Sequence, residues 1–171
     1  MATKKTDAFA NVAAIYALES AANTQTAFKF AFPFSIMDKM GLIINRIEYW
    51  MEGQGSLNST QDRVIVALAA GAALVDINTQ SDPLIVDSYK IMRLDLGAAA
   101  SGIIVESPFI KDFSAMPGGG ILVAPNPLYA IIQGIGCAAA TAAWVKLFYT
   151  YVELGTDEYW QLVESRRIIS G

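Results

Sequence analysis

The chain has 171 residues, of which 54% are apolar and only 16% are charged, and its net charge is −4. An ordinary soluble domain carries about a quarter charged residues, so this composition predicts a single domain in contact with a membrane or with other subunits. The acidic balance argues against a protein that binds nucleic acid by neutralising phosphates, which needs an excess of Lys and Arg.

The N-terminal residues 1–24 are rich in alanine, and we assign them to an arm that precedes one domain at residues 25–171. Apolar residues between Phe9 and Ala17 recur at helical spacing, which predicts either a short helix or an ordered arm. The order of residues is not that of a signal peptide, because Lys4 and Lys5 are followed by an acidic residue and a broken apolar run.

From Phe28 to Ile36 the periodicity changes to two, because phenylalanines alternate with other residues. This pattern predicts a half-buried strand, and Pro33 places it at an edge or a bulge. We expect Phe28, Phe30, Phe32 and Phe34 to lie in the core rather than to form a platform for a ligand.

The rest of the chain consists of short strand patterns separated by Gly-, Pro-, Asn- and Asp-rich turns. Further strands are predicted at 42–51, 64–77, 84–96, 103–110, 121–124, 128–133 and 139–154. Helical patterns between the strands, which a parallel α/β fold requires, do not occur. The sequence therefore predicts an all-β fold, a single jelly-roll β-sandwich with short loops.

A C-terminal helix is predicted at residues 156–167, after the last strand. Thr156 can cap it, and acidic residues in its first turn and Arg166 and Arg167 in its last turn suit the helix dipole. Its apolar face consists of Tyr159, Leu162 and Val163, and two interpretations stay open. The helix packs at a subunit boundary, so that truncation after Leu154 weakens assembly alone, or it packs on its own sandwich.

The residue types that usually carry catalysis are missing or scattered, so we predict a protein that is not an enzyme and has no cofactor and no metal. The sequence contains no histidine, which removes the commonest general base and metal ligand. Its single cysteine, Cys137, lies in an apolar stretch and is predicted to be buried and inert. Acidic residues that we considered for an acid/base pair or a calcium site are Asp76, Asp82, Asp87 and Asp95.

Aromatic and apolar side chains are the candidate functional residues, because such side chains anchor protein interfaces. The interface candidates are Tyr49, Trp50, Tyr159, Trp160, Leu162 and Val163. A non-catalytic, ligand-binding β-sandwich that uses Trp50, Trp144 or Trp160 is an alternative function.

A second alternative is a small membrane-associated protein. No charged residue occurs from Phe113 to Val145, a stretch longer than the roughly 20 apolar residues of a spanning helix. Three prolines and several glycines interrupt the stretch, however, so buried strands and loops covered by protein are the favoured interpretation of residues 113–145.

Three features together resemble the single jelly-roll capsid proteins of icosahedral viruses. They are the N-terminal arm at residues 1–24, the set of short strands, and the closing segment from Trp144 to Glu164, in which a long strand is followed by a short helix with an acidic start. The closing segment looks like the end of the small capsid proteins of membrane-containing double-stranded DNA viruses.

The resemblance implies a structural capsid protein that assembles with copies of itself and with other capsid proteins. It implies a location in the virion after synthesis in the host cytoplasm. The arm departs from that of many single-stranded RNA viruses, because its only basic residues are Lys4 and Lys5. Direct binding of nucleic acid is therefore not expected, and the shell suits a position over an internal membrane or another protein layer.

Overall fold

The computed structural model describes residues 11–33, 38–52, 62–70, 77, 82, 84–92, 94–95, 101–102, 108–124 and 127–168. The strands in these residues are β1 (Asn11–Leu18), β2 (Thr26–Lys29), β3 (Met40–Glu52), β4 (Arg63–Ala70), β5 (Ile85–Met92), β6 (Leu94–Asp95), β7 (Ser101–Gly102), β8 (Phe109–Asp112), β9 (Ile121–Val123), β10 (Leu128–Ile135) and β11 (Ala142–Glu153). They are followed by helix α1 (Thr156–Ile168).

The strands form two main antiparallel sheets with a nested connectivity. Sheet A has the order β1-β11-β3-β8, with β9 also paired to β3, and sheet B has the order β2-β10-β4-β5. The pairing is thus nested: β1 pairs with β11, β2 with β10, β3 with β8 and β9, and β4 with β5. A long antiparallel hairpin rolled into two sheets has this connectivity, which is that of a jelly roll. The predicted fold class is confirmed.

The core lies between the two sheets, and a bulge in β3 decides which side chains enter it. Ile44 and Ile47 are both fully buried although three residues separate them. Asn45 is the extra residue, because the pairing with β11 shifts register at this point. Its side chain donates to the Gly119 carbonyl at 2.6 Å, and its carbonyl accepts from the Phe113 N–H at 2.7 Å. The bulge thereby turns Arg46 away from the core.

Both sheets are also covered in part on their outer faces. On sheet B, Ile65 and Ile131 are buried against Ile77 and Leu84 of the connection between β4 and β5. On sheet A, the end that carries Ile43, Leu122 and Val152 is covered by α1. The other end of the outer face of sheet A has no such cover from the described residues.

Helix α1 packs on its own sandwich, as one of our two interpretations predicted. Tyr159 is only 2% exposed and packs with Val152 and Leu154. Leu162 and Val163 are partly buried against the same cluster. The predicted cap is wrong: Gly155 precedes the first turn, its carbonyl accepts from the Tyr159 N–H at 2.9 Å, and its own N–H donates to the Glu158 carboxylate at 3.1 Å.

The hydroxyl of Thr156 instead accepts a hydrogen bond from the Lys39 ammonium at 2.7 Å. This bond ties the start of the helix to the residue before β3. The helix is therefore anchored through its first turn as well as through its apolar face.

Residues 11–18 form strand β1, and not the short helix that was one of the two structures expected for this segment. Every residue of β1 is paired with β11, from Asn11 opposite Tyr149 to Leu18 opposite Ala142. The alanines that suggested a helix point alternately inward and outward, because a partner strand overrides weak helix propensity. This part of the assigned arm is an integral strand of sheet A, and residues 1–10 lie outside the described part of the chain.

The phenylalanine-rich segment is shorter as a strand than predicted, because β2 ends at Lys29. Phe30 is 4% exposed, and Phe28 and Phe32 pack against the core. These three positions are core residues, as predicted, and Phe34 lies outside the described residues.

The uncharged stretch at residues 113–145 consists of a loop, β9, β10 and the start of β11, so the spanning helix that we considered there is wrong. In the described part of the chain we find no helix with the length and apolar character needed to cross a membrane. Strand β10 is buried on both faces over most of its length, as favoured for this stretch.

One end of the sandwich is held by a buried polar cluster. The carboxylate of Glu19 accepts hydrogen bonds from the Gly134 N–H at 2.6 Å, the Thr141 N–H at 2.8 Å and the Thr141 hydroxyl at 2.9 Å. Nearby, the Asn23 amide bonds both backbone groups of Cys137, at 2.9 and 2.7 Å. These contacts join the end of β1 to the connection between β10 and β11.

Candidate interaction surface

The uncovered outer face of sheet A concentrates exposed apolar side chains. Among the described residues, nine large hydrophobic side chains are exposed, and six of them lie on this face. We call these six the sheet A patch: Val12, Tyr16 and Leu18 on β1, Trp50 on β3, Ile110 on β8 and Trp144 on β11. Contiguous apolar surface of this kind marks an interaction site in a protein that is otherwise well packed.

An aromatic row crosses the patch from one strand to the next. Tyr16 lies opposite Trp144, and Trp144 lies opposite Trp50, so the three rings stand side by side on β1, β11 and β3. The ring centroids of Tyr16 and Trp144 are 5.0 Å apart. The two tryptophans are 42% and 43% exposed. Large aromatic side chains held in neighbouring rows give a rigid contact area, because the sheet fixes their positions.

A buried carboxylate stabilises the middle of the same face. Glu48 is 4% exposed, although it lies on the outer side of β3. It pairs with the Arg46 guanidinium, accepts a bond from the Trp50 indole N–H at 3.4 Å, and lies 3.9 Å from the Lys146 ammonium. Arg46 and Lys146 also sit over the Phe148 ring, 4.4 and 5.0 Å from its centroid.

These contacts set the ionisation of Glu48. Burial by itself raises the pKa of Glu48, but the hydrogen bonds from Arg46 and Trp50 and the positive charges of Arg46 and Lys146 outweigh it. The pKa therefore lies below its ordinary value of 4.5. The charged form is stabilised in the folded protein, so the face contains a carboxylate that stays ionised at neutral pH and is already paired.

We expect the stability difference between the wild type and Glu48→Gln to depend on pH. Folding lowers the pKa of Glu48, so its negative charge adds fully to the free energy of unfolding at pH values above the pKa of Glu48 in the unfolded chain. This contribution is lost as the pH falls through the pKa of Glu48 in the folded protein. Urea unfolding at a series of pH values from neutral down through 4.5 tests this. Arg46→Gln removes a main partner of Glu48 and should make the effect of Glu48→Gln on stability depend less on pH. A stability difference between the wild type and Glu48→Gln that does not change with pH would contradict the lowered pKa of Glu48.

A shallow depression of about 240 Å³ lies beside the aromatic row. It is lined by Ala14, Trp50, Trp144 and Lys146. The small side chain of Ala14 leaves the space, since this residue sits on β1 directly opposite Lys146. The depression can accept an apolar side chain of a partner.

The structure separates the predicted interface candidates into four groups. Trp50 lies on the sheet A patch, as does Trp144, which we named as a ligand contact. Tyr49 is fully buried in the core, because it faces inward from β3 next to the outward-facing Trp50. Tyr159, Leu162 and Val163 contact their own sheet through α1.

Trp160 forms the fourth group, since it is 48% exposed but lies on α1 and not on the patch. Its ring centroid is 5.8 Å from that of Tyr159. It is an exposed aromatic residue beside the buried anchor of the helix.

Sequence reasoning missed Val12, Tyr16, Leu18 and Ile110. The first three belong to the segment interpreted as a helix or an arm, although they are spaced at even intervals along β1. That period of two was the available signal, and the intervening alanines obscured it. The alignment of Tyr16, Trp144 and Trp50 had no local signal, because it depends on the pairing of distant strands.

Of the acidic residues that we considered for catalysis or calcium binding, the two with described side chains, Asp82 and Asp87, each have separate partners. Asp82 accepts a bond from the Leu84 N–H at 2.9 Å, as in an Asx turn. Asp87 pairs with Lys111 at 2.6 Å and accepts a bond from the Tyr49 hydroxyl at 2.8 Å. Asp76 and the side chain of Asp95 lie outside the described residues. Within the described part, we find no group of three or more His, Cys, Asp or Glu that could hold a metal ion.

Burial, followed by the charge and the hydrogen bond of Asp87, raises the pKa of Tyr49 far above its ordinary value. The Tyr49 hydroxyl therefore remains a hydrogen-bond donor to Asp87, which links the core of sheet A to the edge strand of sheet B. Cys137 is 3% exposed, as predicted.

No protein-family model and no curated protein matches the chain. Among solved structures, a chain of the tomato aspermy virus structure, determined by X-ray crystallography, is 11% identical, with a TM-score of 0.48 over 87% of this chain and 81% of that chain. A chain of the maize chlorotic mottle virus structure, from single-particle analysis, is 13% identical, with a TM-score of 0.29 over 84% of this chain and 94% of that one. Function does not follow from such likeness and has to be argued from the surfaces of this chain.

Proposed function

We propose that the protein is a structural capsid protein, a self-assembling shell subunit of an icosahedral virus particle without catalytic activity of its own. The observation that carries this proposal is the sheet A patch. The core and much of both outer faces are filled by side chains of the same chain, whereas six large apolar side chains on one face remain exposed. Burying them against a neighbouring subunit removes apolar area from water, which drives association.

The charged residues on the patch are compatible with burial in an interface. Glu48 is already paired with Arg46 and Lys146, so a subunit that covers this face does not leave an isolated carboxylate without a partner. The edges of the patch keep polar groups, such as the Tyr16 hydroxyl, which donates to the Glu52 carboxylate at 3.1 Å. An apolar centre with a polar rim is typical of protein interfaces.

The partners in this proposal are copies of the same chain and other capsid proteins, and the location is the virion after synthesis in the host cytoplasm. The net charge of −4 supports a shell without direct contact to the genome. A shell over an internal membrane, as in the membrane-containing double-stranded DNA viruses, is the finer form of the proposal.

Replacement of the two tryptophans of the patch tests the proposal. We expect the wild type to form large particles, seen by light scattering and negative-stain microscopy, and the double variant Trp50→Thr, Trp144→Thr to remain small. Because both side chains are exposed, circular dichroism should show the strand content of the wild type in the variant. Trp160→Thr is the matched control, since Trp160 is equally exposed but lies outside the patch.

Two results would overturn the proposal. One is a wild type with a stable mass near 18.4 kDa at micromolar concentration. The other is a double variant that assembles as well as the wild type.

A ligand-binding β-sandwich is the second candidate, favoured by the depression between Trp50, Trp144 and Lys146. Two indole rings and an ammonium group suit the apolar face and the hydroxyl groups of a sugar. This function predicts a soluble monomer whose tryptophan fluorescence changes on titration with an oligosaccharide, and a loss of that change in Trp144→Thr. Particles that form without any added ligand would favour the shell subunit instead.

A further inference from the structure

We infer that β1 is a self-pairing edge: β1 of one copy pairs antiparallel with β1 of a second copy, so that two A sheets join into one continuous sheet. The inference rests on the proposed function in taking a second copy as the partner. It goes beyond that function in naming the strand, the register and the backbone groups that make the contact.

The outer edge of β1 is open. In the described part of the chain, β1 is the last strand of sheet A and pairs only with β11. The Glu19 N–H donates to the Thr141 carbonyl at 3.0 Å, and the direction of backbone groups alternates along an antiparallel strand. Ala13, Ile15 and Ala17 therefore direct their backbone groups to β11. Their even-numbered neighbours direct theirs away from the sheet.

The outward-directed residues are also the exposed ones. Val12, Ala14, Tyr16 and Leu18 are exposed in the fold, with Val12 reaching 50%. Among the described residues, no strand pairs with their N–H and C=O groups, which form a row of donors and acceptors over the whole length of β1. Such a row is a template for pairing with another strand.

The edge lacks the features that usually prevent such pairing. Proteins protect their edge strands with charges, prolines, bulges or short length. Strand β1 has the sequence NVAAIYAL, with neither a charge nor a proline, and no register shift interrupts its pairing. Among the other outermost strands, β2 carries Lys29, β5 carries Asp87 and Lys90, and β8 carries Lys111 and Asp112, whereas β9 has no charge but is only three residues long.

The lack of charge also explains why the partner is a second copy. Two identical strands that pair around a two-fold axis bring the residues next to the axis close to their own equivalents. A charged side chain near the axis would face the same charge, as would happen with β5 or β8. Strand β1 avoids this repulsion, and its pairing with itself places two sheet A patches side by side on one continuous face.

The direction of the backbone groups restricts the register. Two residues that exchange hydrogen bonds across the new pair must both direct their N–H and C=O groups away from β11. The hydrogen-bonded positions are therefore even-numbered. An axis at Ile15 places Val12 opposite Leu18 and Ala14 opposite Tyr16, and it uses all four outward-directed residues of each copy. This register provides about eight backbone hydrogen bonds, two for each facing pair.

Charge substitutions at Ala14 test the inference. We expect Ala14→Lys to weaken dimer formation at least about tenfold in sedimentation velocity, because two like charges then lie beside the axis. Ala14→Glu, whose charge Lys146 of the same chain partly offsets, should weaken it less. An equimolar mixture of the two variants should recover the wild-type affinity, since opposite charges then meet. Ala139→Lys, in the exposed turn before β11, is the matched control and should leave dimer formation unchanged.

Hydrogen exchange identifies the register and separates loss of contact from loss of fold. In the wild-type dimer the amides of Val12, Ala14, Tyr16 and Leu18 should be protected along with those of Ala13, Ile15 and Ala17. In Ala14→Lys only the odd-numbered set should stay protected, because its bonds to β11 lie within one chain. Loss of protection at both the even- and the odd-numbered amides of β1 would show that Ala14→Lys unfolds the strand. In that case, recovery of dimer affinity in the mixture of Ala14→Lys and Ala14→Glu decides whether β1 pairs with itself.

The results distinguish this inference from the proposed function. Dimers with protected even-numbered amides, without shells, would retain the inference and overturn the proposed function. The inference alone would be overturned if shells form, the mixture of Ala14→Lys and Ala14→Glu does not recover dimer affinity, and the even-numbered amides of β1 exchange freely. A wild type that is monomeric at every concentration would overturn both.

Discussion

Replacement of Glu19 by alanine is expected to lower the free energy of unfolding by about 4 kcal/mol. Glu19 is 2% exposed, and its carboxylate accepts three hydrogen bonds from Gly134 and Thr141. Alanine leaves two backbone N–H groups and a hydroxyl without partners inside the protein, and each such buried group costs about 1–3 kcal/mol. The contacts close the end of the sandwich where β1, β10 and β11 meet, so their loss also loosens the first strand.

Urea unfolding followed by circular dichroism measures the effect. Both proteins should carry the Trp50→Thr and Trp144→Thr substitutions, so that assembly through the sheet A patch does not add to the apparent stability. Glu19→Gln keeps one acceptor oxygen and should lose about half as much. Glu153→Ala, at the exposed end of β11, should stay within about 0.5 kcal/mol of its parent. A Glu19→Ala variant that also stays within that limit would show that the cluster does not hold the sandwich.

Replacement of Tyr159 by alanine should lower the free energy of unfolding by about 3 kcal/mol. The ring is 2% exposed and fills the space between α1 and the outer face of sheet A, where it packs with Val152 and Leu154. Its removal leaves a cavity and uncovers apolar side chains of β3 and β9. For the same reason, truncation after Leu154 should reduce stability and not assembly alone.

Trp160→Ala is the matched control for this prediction, because it removes the larger neighbouring aromatic ring from the exposed side of the same helix. We expect it to change the unfolding free energy by no more than about 0.5 kcal/mol. Thermal and urea unfolding of the two variants should therefore differ clearly. If Tyr159→Ala is neutral in stability while Trp160→Ala prevents assembly, α1 belongs to a subunit boundary and not to the domain.

Most strands could be predicted from local pattern because alternation of side chains is a property of a few consecutive residues. The segments from Leu42 to Met51 and from Leu128 to Gln133 were recognised in this way, and each lies within an observed strand. Strand β1 was not recognised, since its alternation is between alanines and a few larger residues, and alanine favours helix in isolation. Pairing with β11 outweighs that preference.

The candidate site was predicted only in part. Trp50 was named as an interface candidate because large aromatic side chains often anchor protein interfaces. Tyr49 was chosen on the same grounds and is wrong, because the bulge at Asn45 shifts the parity of β3 and turns Tyr49 inward. A single inserted residue changes the face of every residue after it, and the sequence carries no clear local signal of the bulge.

The sequence by itself determined the all-β class, the number and order of most strands, the C-terminal helix and the shortage of charge, because each depends on composition or on short-range periodicity. Only the tertiary structure decided that Tyr16, Trp144 and Trp50 stand in one row, that α1 covers its own sheet, and that β1 is the last strand of sheet A among the described residues. Each of these depends on which distant strands pair and in what register, and loops of variable length between the strands leave that choice to the packing of the whole core.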